Sequence, residues 1–436
     1  MKGHVQDRWW RQKKDAEGKP VFNAKGHPVR EKTELFGKGD RYKVRYYDPE
    51  GNERSKSFPD KQLTKAKTFL TKMQHDVLAG EYISAESGEE KFRDYTAQWR
   101  KGQSADAGTR QTVSNHLKTG IFPFLGDKPL KVAAKTDTIR DWLDWLERPK
   151  SEGGRGLMAS TRAVLFDTVS AILQAAYEDK KIRANPCRAK SVKRPKPVQR
   201  KVIPWPDSRV RAVRLALPAE YTVTVPLGAG LGLRQMEIFG FSPDDVDRDE
   251  MIVNVQRQIR WIGTQPVFSP PKGGKTRVVP LGQGVLDDID DYMASFEPVT
   301  LTLPWLEPGG RPETVRVLIA RTTKRSVYAG QPIRNVIKGA NFTYHVWRPA
   351  FASAGLDYVE RRDGMHAMRH FFASTMLANG VSIKEVAEYL GHHDPGYTLR
   401  IYTHLVPSSH KRARAATNRV FKPRRPPQTA QDSVTA

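Results

Sequence analysis

Between residues 180 and 201 the chain carries ten Lys/Arg, no Asp or Glu, and prolines at 186, 195 and 197. Like charges without counter-charges repel, and a proline offers no backbone N–H, so this stretch reads as a solvated spacer and not as a packed element. A chain of 436 residues interrupted in this way is expected to fold as modules on either side of the break, not around one continuous core. Ten uncompensated cations also suit a ligand with regularly spaced negative charge. Lys193, Arg194, Lys196 and Arg200 are the residues of this segment expected to lie along phosphates.

The divisions that follow are 1–85, 86–180, the basic segment 181–201, 202–421 and a Pro-rich tail 422–436 expected to be disordered. In the first, Arg41 to Tyr47 reads as a strand and Asp48-Pro49-Glu50-Gly51-Asn52 as a turn. Glu53 to Phe58 returns as a second strand, and Leu63 to Leu78 has helical spacing. Lys43 and Arg45 alternate with aromatic residues on the first of these strands and are candidate DNA contacts. The second division predicts an all-helical module. Phe92, Tyr95 and Trp99 fit one helix, and Ile139, Trp142, Leu143 and Leu146 another. Val164, Leu165, Val169, Ile172, Leu173 and Ala176 fit a third, capped by Ser160 or Thr161. The fourth is a mixed, mainly helical region. It has strand-like runs at Met251–Trp261 and Thr276–Leu281, and helices at Ser208–Leu217, Val285–Phe296, Tyr344–Ala354, Met365–Asn379 and Ile383–Leu390. Glu297–Gly310 reads as a surface loop, and no internal repeat is apparent. The fold class expected is therefore multidomain α+β: a small sheet-plus-helix domain, an all-α domain and a mixed, mainly α domain.

Composition narrows the function classes. Lys plus Arg is 73 and Asp plus Glu 48, a formal net charge of +25, which points to a polyanion and most simply to nucleic acid. A lone cysteine, Cys187, excludes an internal disulfide and a CxxC zinc module, and fits a reducing cytoplasm. No apolar run approaches the ~20 residues of a membrane span, and Met1 to Lys14 lacks the apolar core of a signal peptide.

Two local patterns suggest chemistry that their context does not support. Gly273-Gly274-Lys275-Thr276 ends like a phosphate-binding P-loop, but Ser269 stands where the first glycine belongs and strands flank it on both sides. His366 and His370 lie i, i+4 as in a zinc helix. Ala367-Met368-Arg369 between them lacks the general-base glutamate, and Arg369 would repel a cation. No metal or cofactor is expected.

A larger constellation accounts for these residues together. Gly230-Leu231-Gly232-Leu233-Arg234-Gln235-Met236-Glu237 puts an arginine after a small-residue turn at a helix start. Pro271 to Leu281 reads as a glycine hairpin with Lys272 and Lys275 at its tip. His366 and Arg369 fall one helical turn apart on one face, Leu390-Gly391-His392 ends a helix, and Ile401-Tyr402-Thr403-His404 follows ten residues on. The set suits attack on a phosphodiester. Guanidiniums clamp the non-bridging oxygens, a lysine protonates the leaving 5′ oxygen, histidines handle a proton or an oxygen, and a tyrosine attacks.

At these residues the chain resembles a tyrosine recombinase of the phage integrase family. The family's ordered set of Arg, Lys, His-x-x-Arg, His or Trp, and Tyr falls on Arg234, Lys272, His366 with Arg369, His392 and Tyr402, and Glu237 matches the acidic residue after the first arginine. The resemblance implies a site-specific recombinase that cleaves and rejoins DNA through a 3′-phosphotyrosine without ATP, acting as a tetramer on two duplexes. It implies an arm-type DNA-binding domain at 1–85, a core-binding domain at 86–180 and a catalytic domain at 202–421, with 405–421 as the segment exchanged between protomers. Ala367-Met368 departs from the usual acidic-apolar pair, and 297–343, with Arg321, Lys324 and Arg325, is longer than the family core. The alternatives are a transposon recombinase or type IB topoisomerase with the same chemistry, and a non-catalytic DNA-binding protein of this fold. Whether a host DNA-bending protein or an excisionase takes part is open.

Overall fold

A computed structural model describes residues 3–80, 82–83, 87–197, 202–328, 331–402 and 410–421. Two compact units emerge: residues 1–105 with 112–198, and residues 106–111 with 199–436. Arg200 and the tail 422–436 lie outside the described residues, as do Thr403 and His404.

The first unit holds two apolar clusters. Around one of them, β1 (His4–Asp7), β4 (Tyr42–Tyr47) and β5 (Glu53–Phe58) form an antiparallel sheet in the order β1-β4-β5, with Tyr42 opposite Phe58 and Tyr47 opposite Glu53. Alternation on β4 buries Tyr42, Val44 and Tyr46 against Ala66 and Met73 of α1 (Leu63–Leu78), as the period of two requires. Between β1 and β4 runs a solvated ribbon, β2 (Trp10–Gln12) paired with β3 (Arg30–Lys32). Its tip contains a short repeat that sequence reading missed, Asp15-Ala-x-Gly18-x-Pro20-Val21 followed by Asn23-Ala-x-Gly26-x-Pro28-Val29. Asp15 accepts the backbone N–H groups of Glu17 and Lys19, and Asn23 those of Lys25 and His27, so the two turns are built alike.

The second cluster lies among α2 (Phe92–Lys101), α3 (Ala107–His116), α4 (Leu130–Ala133), α5 (Thr136–Glu147) and α6 (Ala159–Glu178). The expected apolar stripes pack here, with two differences. Val164 faces solvent, and α6 begins at Ala159 without a side-chain cap, so neither Ser160 nor Thr161 serves as one. The basic stretch also differs from a free spacer. Ile182, Cys187 and Val192 are buried in the helical core, and the Asn185 amide reaches the Ser170 carbonyl (2.9 Å) while its oxygen accepts the Cys187 N–H (3.0 Å). Apolar residues five apart turn inward while Lys190, Lys193 and Lys196 stay out, which the count of charges concealed.

The second unit is built on one large core. After α7 (Asp207–Ala216) and α8 (Gln235–Phe239), the strand-like run from Met251 to Trp261 is broken. β7 (Ile252–Val255) pairs with β6 (Val246–Asp247) and β10 (Arg277–Pro280), whereas β8 (Gln258–Ile262) pairs with β9 (Gln265–Ser269). Residues 270–276 therefore cross from one sheet to another and do not close a hairpin. Past α9 (Gln283–Ser295), the expected loop 297–310 contains β11 (Val299–Pro304), paired with β12 (Pro312–Val317). Prolines sit at the end pair Pro304–Pro312, and Leu301 and Val315 face inward, so the proline-rich composition marks a strand end. β13 (Arg321–Tyr328) and β14 (Gln331–Asn335) form a further hairpin. After α10 (Gly339–Phe342), the helix expected over 344–354 is resolved into a π-helical turn (Thr343–Trp347) and α11 (Arg348–Ser353). Then come α12 (His366–Ala378), α13 (Ile383–Leu390), α14 (Pro395–Tyr402) and α15 (His410–Val420).

Candidate active site

Four segments distant in sequence converge on one cavity of about 560 Å³, lined among others by Arg234, Lys272, His366, Arg369, His392 and Tyr397. Arg234 caps the start of α8. Glu237, fully buried one turn on, accepts the Arg234 backbone N–H (2.9 Å) and its guanidinium (2.8 Å). The same carboxylate accepts two bonds from Arg277 (3.0 and 2.6 Å), which also donates to the Tyr389 carbonyl (2.6 Å). Burial would raise the Glu237 carboxyl, but the hydrogen bonds and charge of Arg277 and the charge of Arg234 outweigh it and hold it at about 2. Glu237 is thus the anionic hub of two guanidiniums. Sequence reading assigned no role to Arg277, because a single arginine at the start of an apolar strand gives no periodic signal.

Arg369 is fully buried. It donates to the carbonyls of Gly232 (2.7 Å) and Leu390, joining the turn before Arg234 to the end of α13. Both glycine motifs have a steric basis. Gly232 has φ +64°, and a Cβ there would lie 2.5 Å from Phe372. Gly391 ends α13 at φ +60°, and a Cβ there would press on the Arg277 side chain at 3.0 Å. Its carbonyl accepts from Arg234 (3.3 Å), so one turn gathers three arginines.

His366 opens α12, three residues after Asp363. That fully buried carboxylate accepts from the Trp205 indole (3.1 Å), Arg209 (3.1 Å) and the Val359 N–H (2.8 Å), which fixes the entry of the helix. His366 opens onto the cavity, yet the surrounding protein and the nearby Arg369 and Arg234 lower its imidazole to about 4. His392 bonds through Nδ1 to the Thr398 hydroxyl (2.6 Å), and burial with the same arginines lowers it to about 3. Both rings are neutral near pH 7. Lys272 stands exposed on the crossover loop.

Tyr402 does not line this cavity. Its ring is buried at the end of α14, and its hydroxyl lies 2.6 Å from Nδ1 of His370. Burial raises the phenol well above its ordinary value of 10, against the charge of Arg369, which favours the phenolate. His370, set aside in the sequence as half of a zinc-like pair, is the nucleophile candidate's partner. The tyrosine on the cavity wall is instead Tyr397, half-exposed with its ring edge-on to His392 at 5.0 Å.

The DNA-contact candidates are dispersed. Lys43 and Arg45 lie on the outer face of β4, where Arg45 pairs with Glu53 (2.5 Å). Lys193 and Lys196 are exposed, and Arg194 is held bidentately by Asp167 (both 2.7 Å). Among the described residues no group of three or more His, Cys, Asp or Glu could hold a metal, and no helix is long and apolar enough to cross a membrane.

The chain is similar to several known proteins. Residues 216–408 match the phage integrase family. The chain is 25% identical to a tyrosine recombinase XerC-like protein of Caldanaerobacter subterraneus subsp. tengcongensis, covering 61% of this chain and 68% of that one. It is 24% identical to an integrase of Mycobacterium phage FRAT1, covering 70% and 82%. Its fold is similar to that of the Tn1549 transposon integrase, solved with transposon right end DNA. The TM-score is 0.57 at 18% identity, over 76% of this chain and 99% of that one.

Proposed function

With residues 216–408 forming a phage integrase family domain, of the tyrosine recombinase type, we propose that this chain is a site-specific DNA recombinase that integrates or excises a mobile element. The observation that supports the reading is the single cavity onto which Arg234, Lys272, His366, Arg369 and His392 open. The cations among them and the two neutral imidazoles suit a phosphodiester. The guanidiniums of Arg234 and Arg369 neutralise the charge that gathers on the non-bridging oxygens. Lys272 protonates the departing 5′ oxygen, and His366 and His392 donate to phosphate oxygens. Tyr402 attacks phosphorus and holds the 3′ end as a phosphotyrosine, which conserves the bond energy for rejoining. From its buried position, the Tyr402 hydroxyl has to reach the phosphate held beside Arg369.

The partners in this reading are duplex attachment sites and further copies of the chain, four on two duplexes, acting in the cytoplasm on nucleoid DNA. Residues 1–85 would bind arm-type sites through Lys43 and Arg45, and 86–180 would bind core sites. Lys193, Arg194, Lys196 and Arg200 would follow phosphates between the modules, and α15 falls in the segment exchanged between protomers.

The test is covalent trapping on nicked duplexes prepared from the DNA flanking the coding region. The protein should form a 3′-phosphotyrosine adduct and a free 5′ hydroxyl, in EDTA and without ATP. Tyr402→Phe should bind the same duplex and form none, and the DNA-linked peptide should contain Tyr402. A peptide linked through Tyr397 or Tyr389, a 5′ linkage, or a strict need for divalent metal would overturn the mechanism.

A further inference from the structure

A phenol that attacks phosphorus must give up its proton, and the partner of the Tyr402 hydroxyl among the described residues is Nδ1 of His370, at 2.6 Å. We infer that His370 is a catalytic residue, the proton acceptor that activates Tyr402. The inference rests on the recombinase reading above and adds to it a group outside the family's ordered set.

The geometry favours this role. His370 follows Arg369 directly on α12 and lies one turn beyond His366, whose ring meets it edge-on at 4.7 Å. The Tyr402 ring is 5.7 Å from that of His370, and the charge of Arg369 acts on the same phenol. The phenol therefore meets a proton acceptor directly and lies within the field of the Arg369 guanidinium. In the tautomer that leaves Nδ1 unprotonated, the phenol donates to Nδ1 and the Tyr402 oxygen keeps its lone pairs for phosphorus.

The protonation states agree. Burial, with His366 and Arg369 nearby, lowers His370 to about 3, so the imidazole is neutral and able to accept at any working pH. A weak base suffices, because the phenol proton becomes strongly acidic as the oxygen bonds to phosphorus. A bound phosphodiester would also offset the Arg369 charge that holds the imidazole down. In the step, the bond from the Tyr402 oxygen to phosphorus forms as the bond from phosphorus to the 5′ oxygen breaks. The phenol proton passes to His370 Nδ1, and the 5′ oxygen takes a proton from Lys272. Rejoining runs the same transfers in reverse.

The experiment uses the full chain on a nicked flanking duplex with which the unaltered protein forms the adduct, so that failure of the recombinase reading shows separately as failure of that parent reaction. His370→Gln, which keeps an acceptor but binds no proton, and His370→Phe, which keeps the ring volume, should both bind the duplex and both lose roughly 10²–10⁴-fold in the rate of adduct formation. Replacing Tyr402 by a fluorinated tyrosine, whose phenol is more acidic, should restore at least about tenfold of that loss in His370→Gln. A purely structural role would not give this rescue. An unchanged rate in His370→Gln, a faster rate in His370→Phe, or no rescue by the fluorinated phenol would overturn the assignment.

Discussion

Glu237 shows how much of this site depends on one side chain. It is a fully buried carboxylate that holds two guanidiniums, and one of them, Arg234, faces the cavity. Removing Arg277 leaves a buried anion with one partner instead of two, and breaking such a pair typically costs about 3–5 kcal/mol. Arg277→Met should therefore lower the unfolding free energy by an amount of that order in denaturant titration, and should impair adduct formation because Arg234 loses its fixed anchor. The same residues set an acid limit. The Glu237 carboxyl is depressed from 4.5 to about 2, so its contribution is complete above pH 4.5 and is lost as pH falls towards 2. His366, His370 and His392 are depressed from 6.5 to about 4, 3 and 3, so below pH 6.5 the unfolded chain binds protons that the folded chain refuses. The half-buried His370 and His392 each cost up to about 1.4 kcal/mol per pH unit until the folded value is reached, and the exposed His366 costs less because water screens its charge. Thermal unfolding followed from pH 8 to pH 4 should thus show a flat stretch above 6.5 and a steady fall below it. His370→Gln should make that fall shallower, and a profile unchanged by this substitution would contradict the burial argument.

At the scale of the element, the basic stretch after α6 does two things at once. Ile182, Cys187 and Val192 fasten it to the helical core, which leaves Lys193 and Lys196 projecting from a tethered strip. A strip fixed at one end costs less chain entropy to lay along a backbone than a free tail does. Each phosphate neutralised contributes about −0.9 to the slope of log K against log salt, so Lys193, Arg194, Lys196 and Arg200 together should account for roughly 3–4 units. Changing the four to Gln and measuring duplex binding at several salt concentrations should make the slope shallower by that amount. Arg194 is already paired with Asp167, so it should contribute least of the three described residues. If the slope did not move, the strip would be a spacer. The turns that carry Lys272 and His392 follow a related logic. The first is tied at its base by the Gln258 amide on the Pro270 carbonyl and the second by arginine bonds to the carbonyls of residues 389–391, while Lys272 and His392 themselves stay outside the fully buried core.

Across the whole molecule, the separate apolar clusters of 42–82, 92–192 and 205–402 give each module its own folding capital. The β1-β4-β5 sheet and α1 bury Tyr42, Val44, Tyr46, Ala66 and Met73 among themselves. Deleting residues 1–85 should accordingly leave residues 86–436 folded and able to bind core DNA, while recombination between full-length sites is lost. Gel-shift and recombination assays on the same preparation would check this. Loss of all core binding by a truncated protein that still unfolds cooperatively would refute the modular assignment.

The sequence by itself determined the order of the chemical groups and most of the helices. Arg234, His366, Arg369 and His392 were legible because each sits in a short motif whose glycine or helical spacing has a local cause, and α2, α5, α9, α12 and α13 were legible because a buried stripe repeats every three to four residues. Tertiary structure alone decided what no local pattern encodes. The strands on either side of 270–276 join different sheets because β9 closes a tight hairpin on β8, whereas β10 reaches back past both to pair with β7. Val299–Pro304 became a strand despite its proline because Val299 and Leu301 pair directly with Val317 and Val315 of the facing strand, and Pro304 falls on the end pair. Arg277 and His370 acquired partners only when α8, α12, α13 and α14 were brought together, since a hydrogen bond from Arg277 to Glu237, or from Tyr402 to His370, spans tens of residues and leaves no periodic trace in the chain.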